Sequence, residues 1–430
     1  MLPEVLMLGW EFPPQFNGGL GVASMSMAEA LAPYVNLNLI VPHAAENTPN
    51  QGYGVYGVNE LAALAGKEDS RTLLRNSAGI IYVPSSLRPY EMPRVSADPV
   101  RKLLYVEGNR GPQLSTQEES SESPSLYDAQ LGKRVMDFAQ RSGELAEKQS
   151  FDLIHAHDWM TWLAGLEIRA KSGKPLLLHV HSLEIDRNPD QPHPWIMQLE
   201  RHAMQQADGI VAVSEYTARR IRQYYAVEAE KIQVIHNGVA LREIAPESAA
   251  FPEKLVVFIG RMTTQKDPEQ FIDIAMRVLM EEDRVRFIMA GDGDLIPEVS
   301  KLIAKYRVGH RIHLTGFLEP EVRDRLLGMA DVLVMPSQAE PFGLVALEAA
   351  HAGVPCVISS QSGVREVLPN ALVSEPDRPD HMASQVLSLL RYPTLHQTIS
   401  TALKADAAQA NWERNAMQLI DTYQDLCLPE

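Results

Sequence analysis

The sequence has little cysteine, no excess of positive charge and no long apolar segment. Its two cysteines, Cys356 and Cys427, cannot build a disulfide framework, and we expect two isolated thiols. A formal net charge of -16 at pH 7 argues against nucleic acid or an anionic membrane as a partner. The apolar run near the N-terminus is too short to cross a bilayer, and it lacks a basic n-region and a cleavage site. We therefore expect a cytoplasmic protein without a transmembrane segment, whose oligomeric state stays open.

The sequence does contain a regular alternation of short apolar runs and amphipathic stretches. This pattern is typical of α/β folds, in which helices connect the strands of parallel sheets. A length of 430 residues exceeds what one hydrophobic core usually holds, so we expect two domains. The predicted strands are Glu4–Trp10, Asn36–Val41, Gly79–Val83, Asp152–His157, Leu176–His181, Gly209–Ser214 and Lys231–Asn237, then Leu255–Gly260, Arg286–Gly291, Arg311–Phe317, Asp331–Ser337 and Pro355–Ser359.

The domain boundary is predicted in a segment with little periodicity. Residues 240–254 contain two prolines and three glutamates between the two series of strands, and we interpret them as a linker. The N-terminal domain would then span 1–240 and the C-terminal domain 241–410. Residues 411–430 would form a last amphipathic helix, with Trp412, Met417, Ile420 and Tyr423 at roughly helical spacing. Residues 43–77 do not fit a regular repeat, and residues 109–125 are polar and acidic, so we expect a mobile loop there.

Glycines and basic residues follow two of the predicted strands. Gly18 and Gly19 lie between the first strand and a helix predicted near Val22, where backbone N–H groups could approach a phosphate. A tight strand-to-helix turn is the alternative. Arg261 and Lys266 follow Leu255–Gly260 and could converge on a diphosphate. Solvated basic residues at a helix start are the alternative there.

Histidines alternate along two neighbouring strands in the first half. His155 and His157 share one strand face, as do His179 and His181. Four imidazoles at neighbouring strand ends could bind a metal, but Asp158 is the only carboxylate nearby. We therefore favour inner histidines that form hydrogen bonds in the core, with His157 and His181 reaching a cleft at the carboxyl ends of the strands.

Two pairs of carboxylates stand out in the second half. Glu340 lies on a loop, and Glu348 lies about two turns into a helix predicted near Phe342. They could address two parts of one ligand, or they could be ordinary surface residues; the apolar neighbours of Glu348 favour a partner for it. Asp292 and Asp294 resemble a metal-binding Asp-x-Asp pair, but we favour a turn in which Asp294 caps the next helix.

Taken together, these motifs resemble a known family, the retaining GT-B glycosyltransferases of group 1, which is related to sucrose synthases and to glycogen and starch synthases. The resemblance covers nearly the whole chain. The motifs that carry it are Gly18-Gly19, His157-Asp158, Val180-His181, His236-Asn237-Gly238-Val239, Gly260-Arg261 with Lys266, Gly291-Asp292-Gly293, Thr315-Gly316-Phe317, Glu340-x7-Glu348 and Asn411-Trp412.

The resemblance implies an architecture and an activity. Two Rossmann-like domains would face each other across a cleft, and the C-terminal helix would cross back to the first domain. The enzyme would transfer a hexose, with glucose favoured, from a UDP- or ADP-type sugar to a carbohydrate or other hydroxyl acceptor. The configuration would be retained without a metal or cofactor, because the leaving phosphate itself would take the acceptor proton. Elongation of an α-1,4-glucan is the alternative, and an epimerase or phosphorylase on the same fold is more remote.

The resemblance also implies roles for individual residues. Arg261 and Lys266 would neutralise the leaving diphosphate, Glu348 would hold the ribose and Glu340 would contact the transferred sugar. His181 and Asp158 would line the sugar pocket, with Asp158 on the acceptor side. The remaining donor-binding positions that it implies are Gly18, Gly19, Gly291, Gly316, Phe317, Phe342, Gly343 and Leu344.

Overall fold

The fold consists of two parallel sheets, each flanked by helices. A computed structural model describes residues 2–12, 19–42, 53–57, 131–239 and 253–428. In these ranges no helix is long and apolar enough to span a membrane. The predicted α/β class is confirmed.

The first sheet has seven parallel strands in the order β3-β2-β1-β4-β5-β6-β7. The central strands β4 and β5 are buried at every residue, and apart from three histidines all their residues are apolar. The strands are β1 (Glu4–Leu8), β2 (Asn36–Val41), β3 (Gly54–Gly57), β4 (Leu153–His157), β5 (Leu176–Val180), β6 (Gly209–Ala212) and β7 (Ile232–Val234). The described helices of this half are α1 (Gly19–Leu31), α2 (Leu131–Ala146), α3 (Trp159–Ser172), α4 (Glu184–Arg187), α5 (Pro194–Gln206) and α6 (Glu215–Tyr225).

The second sheet has six parallel strands in the order β10-β9-β8-β11-β12-β13. Its strands are β8 (Lys254–Ile259), β9 (Val285–Ala290), β10 (Ile312–Gly316), β11 (Val332–Met335), β12 (Cys356–Ser359) and β13 (Leu372–Ser374). Its helices are α7 (Pro268–Leu279), α8 (Ile296–Tyr306), α9 (Pro320–Met329), α10 (Leu344–Ala352), α11 (Pro379–Arg391) and α12 (Pro393–Gln409).

The last helix, α13 (Trp412–Cys427), returns to the first sheet. Its N-cap Asn411 accepts a hydrogen bond from the backbone of Arg414, and Trp412 and Tyr423 belong to the core around β1 and β2. The predicted amphipathic helix is therefore present. The assignment of Met417 to its buried face is wrong, because that side chain is 45% exposed while its neighbour Ala416 is buried.

Two short strands escaped prediction. β3 lies inside the 43–77 segment that was expected to be irregular, and β13 is an edge strand of three residues. The predicted strand Gly79–Val83, the acidic loop at 109–125 and Gly18 lie outside the described residues. The predicted boundary after residue 240 also lies outside them, so the domain limits stay predictions.

Candidate functional site

Three loops of the second half are joined closely at the carboxyl ends of their strands. Gly260 donates its backbone N–H to Ala290, and Gly291 donates to Gly316, both at 2.9 Å. Gly291 has a φ of +139°, and a Cβ atom there would lie 1.8 Å from the carbonyl oxygen of Gly260. Only glycine fits at such a close approach between two backbones. This packing sets the position of Arg261, which follows Gly260 directly.

Lys266 and Glu340 form a partly buried ion pair in this region. Lys266 follows β8 and Glu340 follows β11, and the ammonium contacts Oε2 of the carboxylate directly. The side chains are 19% and 6% exposed, and the Ser337 hydroxyl donates to the same carboxylate oxygen at 3.3 Å. Arg261 stands apart from this pair and donates to Oε1 of Gln265 at 3.2 Å. The structure therefore brings two of the predicted residues into contact and holds the third nearby.

Two helix N-termini meet beside the ion pair. Gly343, with a φ of +110°, is the N-cap of α10, which begins at Leu344. α1 begins at Gly19, and a methyl group added at Gly19 would lie 3.4 Å from Cδ1 of Leu344. Helix N-termini carry unpaired N–H groups and a partial positive charge. The meeting of two such ends favours the binding of an anion between the halves of the protein.

The remaining predicted side chains of the second half differ in their burial. Phe342 is buried at 3% exposure, whereas Phe317, directly after β10, is 50% exposed. Glu348 is mostly buried, and its Oε1 lies 3.2 Å from Nη2 of Arg323 on α9. The mostly buried carboxylate of Glu348 therefore has a charged partner, as its apolar sequence neighbours predicted. Sequence reasoning missed Arg323, because it belongs to no motif and only the packing of α9 on α10 brings it close.

Asp158 supports the turn that carries His181. Its Oδ1 accepts hydrogen bonds from the backbone N–H groups of His181 (2.8 Å) and Ser182 (3.2 Å). Burial raises the pKa of Asp158 to about 6, although the charge of Arg187 and the two N–H groups act to lower it. Asp158 also has a φ of +57°, a backbone conformation that is rare for a residue with a side chain. These constraints fix His181 one residue beyond the end of β5.

The four histidines form what we call the histidine column: His155, His157, His179 and His181. The rings of His179 and His181 are stacked with centroids 4.3 Å apart and an interplanar angle of 6°. Nδ1 of His157 lies 2.9 Å from Nε2 of His181, and Nε2 of His155 lies 3.2 Å from Nδ1 of His179. Nδ1 of His155 lies 2.8 Å from the Tyr423 hydroxyl. Burial lowers the pKa of His155 and His181 to about 3, and it lowers the pKa of His157 and His179 well below the usual value.

One position in the histidine column differs from prediction. His157 was expected to reach the cleft, but it is completely buried and contacts His181, which is partly exposed. His155, His157 and His179 each offer a ring nitrogen within 4.8 Å of the others. Nδ1 of His157 and Nε2 of His155 each contact a nitrogen of a neighbouring imidazole, so these two atoms are engaged in histidine–histidine hydrogen bonds. The expected absence of a metal stays a prediction.

The Asp-x-Asp segment forms a turn at the end of β9. Oδ1 of Asp292 accepts a hydrogen bond from the backbone N–H of the adjacent Gly293 at 2.8 Å, so this carboxylate is engaged within the turn. The prediction that Asp294 caps the next helix is wrong, because the N-cap of α8 is Leu295.

Family models match two consecutive segments of the chain. Residues 242–406 match the model described as "Glycosyl transferases group 1", and residues 108–243 match "Glycosyltransferase Family 4". The chain is a group 1 glycosyltransferase with the GT-B fold. An uncharacterized glycosyltransferase of Methanocaldococcus jannaschii is 29% identical to it over 293 residues, which cover 64% of this chain and 75% of that protein.

Solved structures share the fold of this glycosyltransferase along its whole length. Sucrose-phosphate synthase from Thermosynechococcus elongatus superposes with a TM-score of 0.74 at 18% identity and covers 99% of both chains. Anabaena HepE in complex with UDP-glucose superposes with a TM-score of 0.68 at 16% identity, covering 98% of this chain and 99% of that one. The predicted GT-B fold, with two parallel sheets flanked by helices, is thereby confirmed.

Contacts between the two halves of the glycosyltransferase reach the Glu340 loop. The hydroxyl of Ser214, just before α6, donates to the carbonyl oxygen of Pro341 at 2.6 Å. Glu366 accepts from the backbone N–H groups of the first two residues of α6 and lies 2.9 Å from Nε2 of His236. Sequence analysis missed both contacts. Ser214 carried a signal, since serine before a helix is an N-cap candidate, but its second role needs the assembled fold.

Proposed function

We propose that this glycosyltransferase transfers a hexose, with glucose favoured, from a UDP- or ADP-type sugar to a hydroxyl of a carbohydrate or other acceptor. The anomeric configuration is retained, and the reaction uses neither a metal ion nor a cofactor. The observation that carries the proposal is the meeting of the α1 and α10 N-termini beside the Lys266–Glu340 pair. This is a local site for an anion in a protein with a net charge of -16.

The diphosphate of the donor occupies the space between these helix ends. Backbone N–H groups at Gly19 and Leu344 approach its oxygens, and Arg261 and Lys266 supply positive charge. The negative charge on this group grows as the bond to the sugar breaks. Cations that are already in place stabilise that growing charge without reorganisation, which lowers the barrier. Gly291 and Gly316 let the backbone lie close to the nucleotide, and the exposed ring of Phe317 offers the base an apolar surface.

The sugar and the ribose contact the carboxylates and the histidine. Glu348, oriented by Arg323, accepts hydrogen bonds from the ribose hydroxyls. Glu340 contacts the transferred sugar from one side and His181 from the other, and Asp158 holds the His181 turn at the acceptor side. Oε2 of Glu340 already contacts the Lys266 ammonium and the Ser337 hydroxyl, which makes the carboxylate a poor nucleophile. This favours a mechanism in which the leaving phosphate takes the acceptor proton.

The fold neighbours support this class of donor. HepE, which shares the whole fold, was crystallised with UDP-glucose. At 16% identity it supports the donor class by analogy of fold, and the base and the sugar need a direct test.

The first test is a screen of the purified protein against UDP-, ADP- and GDP-sugars. A ligand that binds only the folded state raises the melting temperature according to its affinity. We expect stabilisation by one nucleoside diphosphate together with slow hydrolysis of its sugar conjugate. The absence of both effects for every nucleotide sugar would overturn the proposal.

A set of variants tests the site itself. Lys266→Met should lower turnover by about 100-fold, because one preorganised charge at a developing anion contributes on this scale. The double variant Lys266→Met with Glu340→Gln leaves no unpaired buried charge, so it should fold while remaining inactive. Lys301→Ala is the matched control, because Lys301 is 76% exposed on α8. Turnover by the folded double variant within about threefold of the wild type would contradict the assignment.

A further inference from the structure

The histidine column contains nitrogen atoms that determine where its protons lie. Each of the two histidine–histidine contacts joins one Nδ1 and one Nε2. Within the described ranges, Nε2 of His157 and Nε2 of His179 are both buried and have no hydrogen-bond partner. A neutral imidazole carries one proton on one of its two nitrogens. The unpartnered atoms therefore decide which nitrogen is protonated.

A buried N–H without an acceptor costs more than a buried lone pair without a donor, and such N–H groups are rare in folded proteins. Nε2 of His157 is therefore the unprotonated atom, and the proton of His157 lies on Nδ1. This N–H points at Nε2 of His181, which must accept it. A neutral His181 whose Nε2 accepts a hydrogen bond carries its own proton on Nδ1.

We propose that His157 is a positioning residue that fixes His181 in the Nδ1-protonated tautomer, so that His181 presents an N–H donor to an oxygen of the transferred sugar. In the part of the chain that the structure describes, Nδ1 of His181 has no protein partner. It is therefore available for a ligand at the end of β5. The assignment of the tautomer stands on geometry alone, while its consequence for the sugar rests on the proposed function.

The second pair of histidines follows the same rule. Because Nε2 of His179 is unpartnered, His179 donates from Nδ1 to Nε2 of His155. His155 then carries its proton on Nδ1 and donates to the oxygen of the Tyr423 hydroxyl. With this choice of protons, each nitrogen–nitrogen contact of the histidine column joins one donor and one acceptor. Tyr423 on α13 thus supports the base of the column, and the stacked ring of His179 holds the His181 ring from its face.

The N–H donor of His181 matters because the alternative tautomer would present a hydrogen-bond acceptor to the ligand instead. With its proton on Nε2, His181 would offer a lone pair to the sugar oxygen that it otherwise binds. A hydroxyl can rotate to donate to that lone pair, but a ring or bridging oxygen cannot. Losing one hydrogen bond to a buried polar group reduces binding or turnover by about 10- to 100-fold. The tautomer of His157, which lies deeper in the histidine column than His181, therefore controls which ligand oxygens His181 can recognise.

Two amide variants of His157 separate its role in positioning from its role in packing. In His157→Asn the amide lies near the position of Nδ1, so it can donate to His181. In His157→Gln the longer side chain places the amide near the position of Nε2, which has no partner. Both variants are polar and do not titrate, so they differ mainly in which atom of the histidine they replace.

The first readout is ¹⁵N NMR of protein with labelled histidines, in which the His181 signals are identified by their loss in His181→Asn. We expect His181 protonated on Nδ1 in the wild type and in His157→Asn, and an altered tautomer ratio in His157→Gln. A wild-type His181 protonated on Nε2 would overturn the proposal. This measurement does not depend on activity, so it stays informative if both variants fail to fold or if the proposed function is wrong.

The second readout is kinetic and uses the nucleotide sugar identified in the screen. We expect His157→Gln to lower kcat/KM for this donor by about 10- to 100-fold, and His157→Asn to stay within about threefold of the wild type. The Kd of the free nucleoside diphosphate should be unchanged in both variants, because the diphosphate lies away from His181. Equal losses in the two variants would show that His157 acts through packing alone. If the wild type binds no nucleotide sugar at all, the proposed function has failed, and the tautomer is then decided by NMR.

Discussion

The histidine column should make the first half of the protein sensitive to acid. Three of its members, His155, His157 and His179, are at most 1% exposed, and burial keeps them neutral. In the unfolded chain each regains its usual pKa of about 6.5. Below that pH the unfolded state binds protons that the folded state does not bind. The free energy of unfolding therefore decreases as the pH falls from 6.5 towards the depressed folded-state pKa.

The size of the effect follows from this difference in protonation. Each buried histidine costs about 1.4 kcal/mol of stability per pH unit once the pH is below its unfolded pKa. Two carboxyl groups act in the opposite direction, because burial raises the pKa of Asp158 to about 6 and that of Glu200 to about 7. They take up protons in the folded state first and so stabilise it as the pH falls. The total pH profile mixes both signs, and a difference between two variants isolates the histidine contribution.

The informative variant is His179→Asn, which keeps a polar atom near Nδ1 but cannot titrate. Between about pH 7.5 and pH 5.5 the wild type should lose about 1.4 kcal/mol relative to this variant. Urea unfolding followed by tryptophan fluorescence reports on the first half selectively, because all five tryptophans lie in or pack on it. They are Trp10, Trp159, Trp162, Trp195 and Trp412.

The exposed His202→Asn on α5 provides the baseline for this comparison. A stability difference between wild type and His179→Asn that is the same at both pH values would refute the reasoning. It would mean that His179 is already protonated in the folded protein or still buried in the unfolded one.

Two further predictions concern the contact between the halves and the metal. Glu366→Ala should lower the free energy of unfolding by about 2 kcal/mol in the same assay, because it removes charge-assisted hydrogen bonds to α6 and to His236. Glu228→Ala, at an exposed position, is the control. Equal losses of stability in the two variants would contradict the prediction. Transferase activity should survive EDTA, and a complete loss that Mg²⁺ or Mn²⁺ restores would assign Asp292 and Asp294 as ligands instead.

Much of the fold follows from local patterns that sequence reasoning can use. Strands β4 and β5 are buried along their whole length and contain only apolar residues besides three histidines, so their sequence predicts them. In parallel sheets the carboxyl ends of the strands share one edge, and residues after them gather there. This is why Arg261, Lys266 and His181 could be named from the sequence. The strand β13, with three residues at a sheet edge, is too short to carry such a pattern.

The partners of these residues could not be predicted, because they depend on packing between distant segments. Lys266 and Glu340 were both named, but nothing in the sequence pairs them across 74 residues. Arg323 reaches Glu348 only through the packing of α9 on α10. The depth of His157 depends on how the turn after β5 folds over it. In each case the residue type and its strand were predictable, and the side-chain contact was not.

The side chains of the two halves of the site differ in charge, and this difference supports the proposed reaction. On the first half, burial lowers the pKa of His181 to about 3 and raises that of Asp158 to about 6, so both groups move towards their neutral forms. On the second half, Lys266 and Glu340 are held as an ion pair beside two helix N-termini. A nucleotide sugar has the same division, with a neutral hexose joined to a charged diphosphate. A pocket that presents the neutral imidazole of His181 binds the hexose without desolvating an imidazolium, while the charged side stabilises the group that leaves.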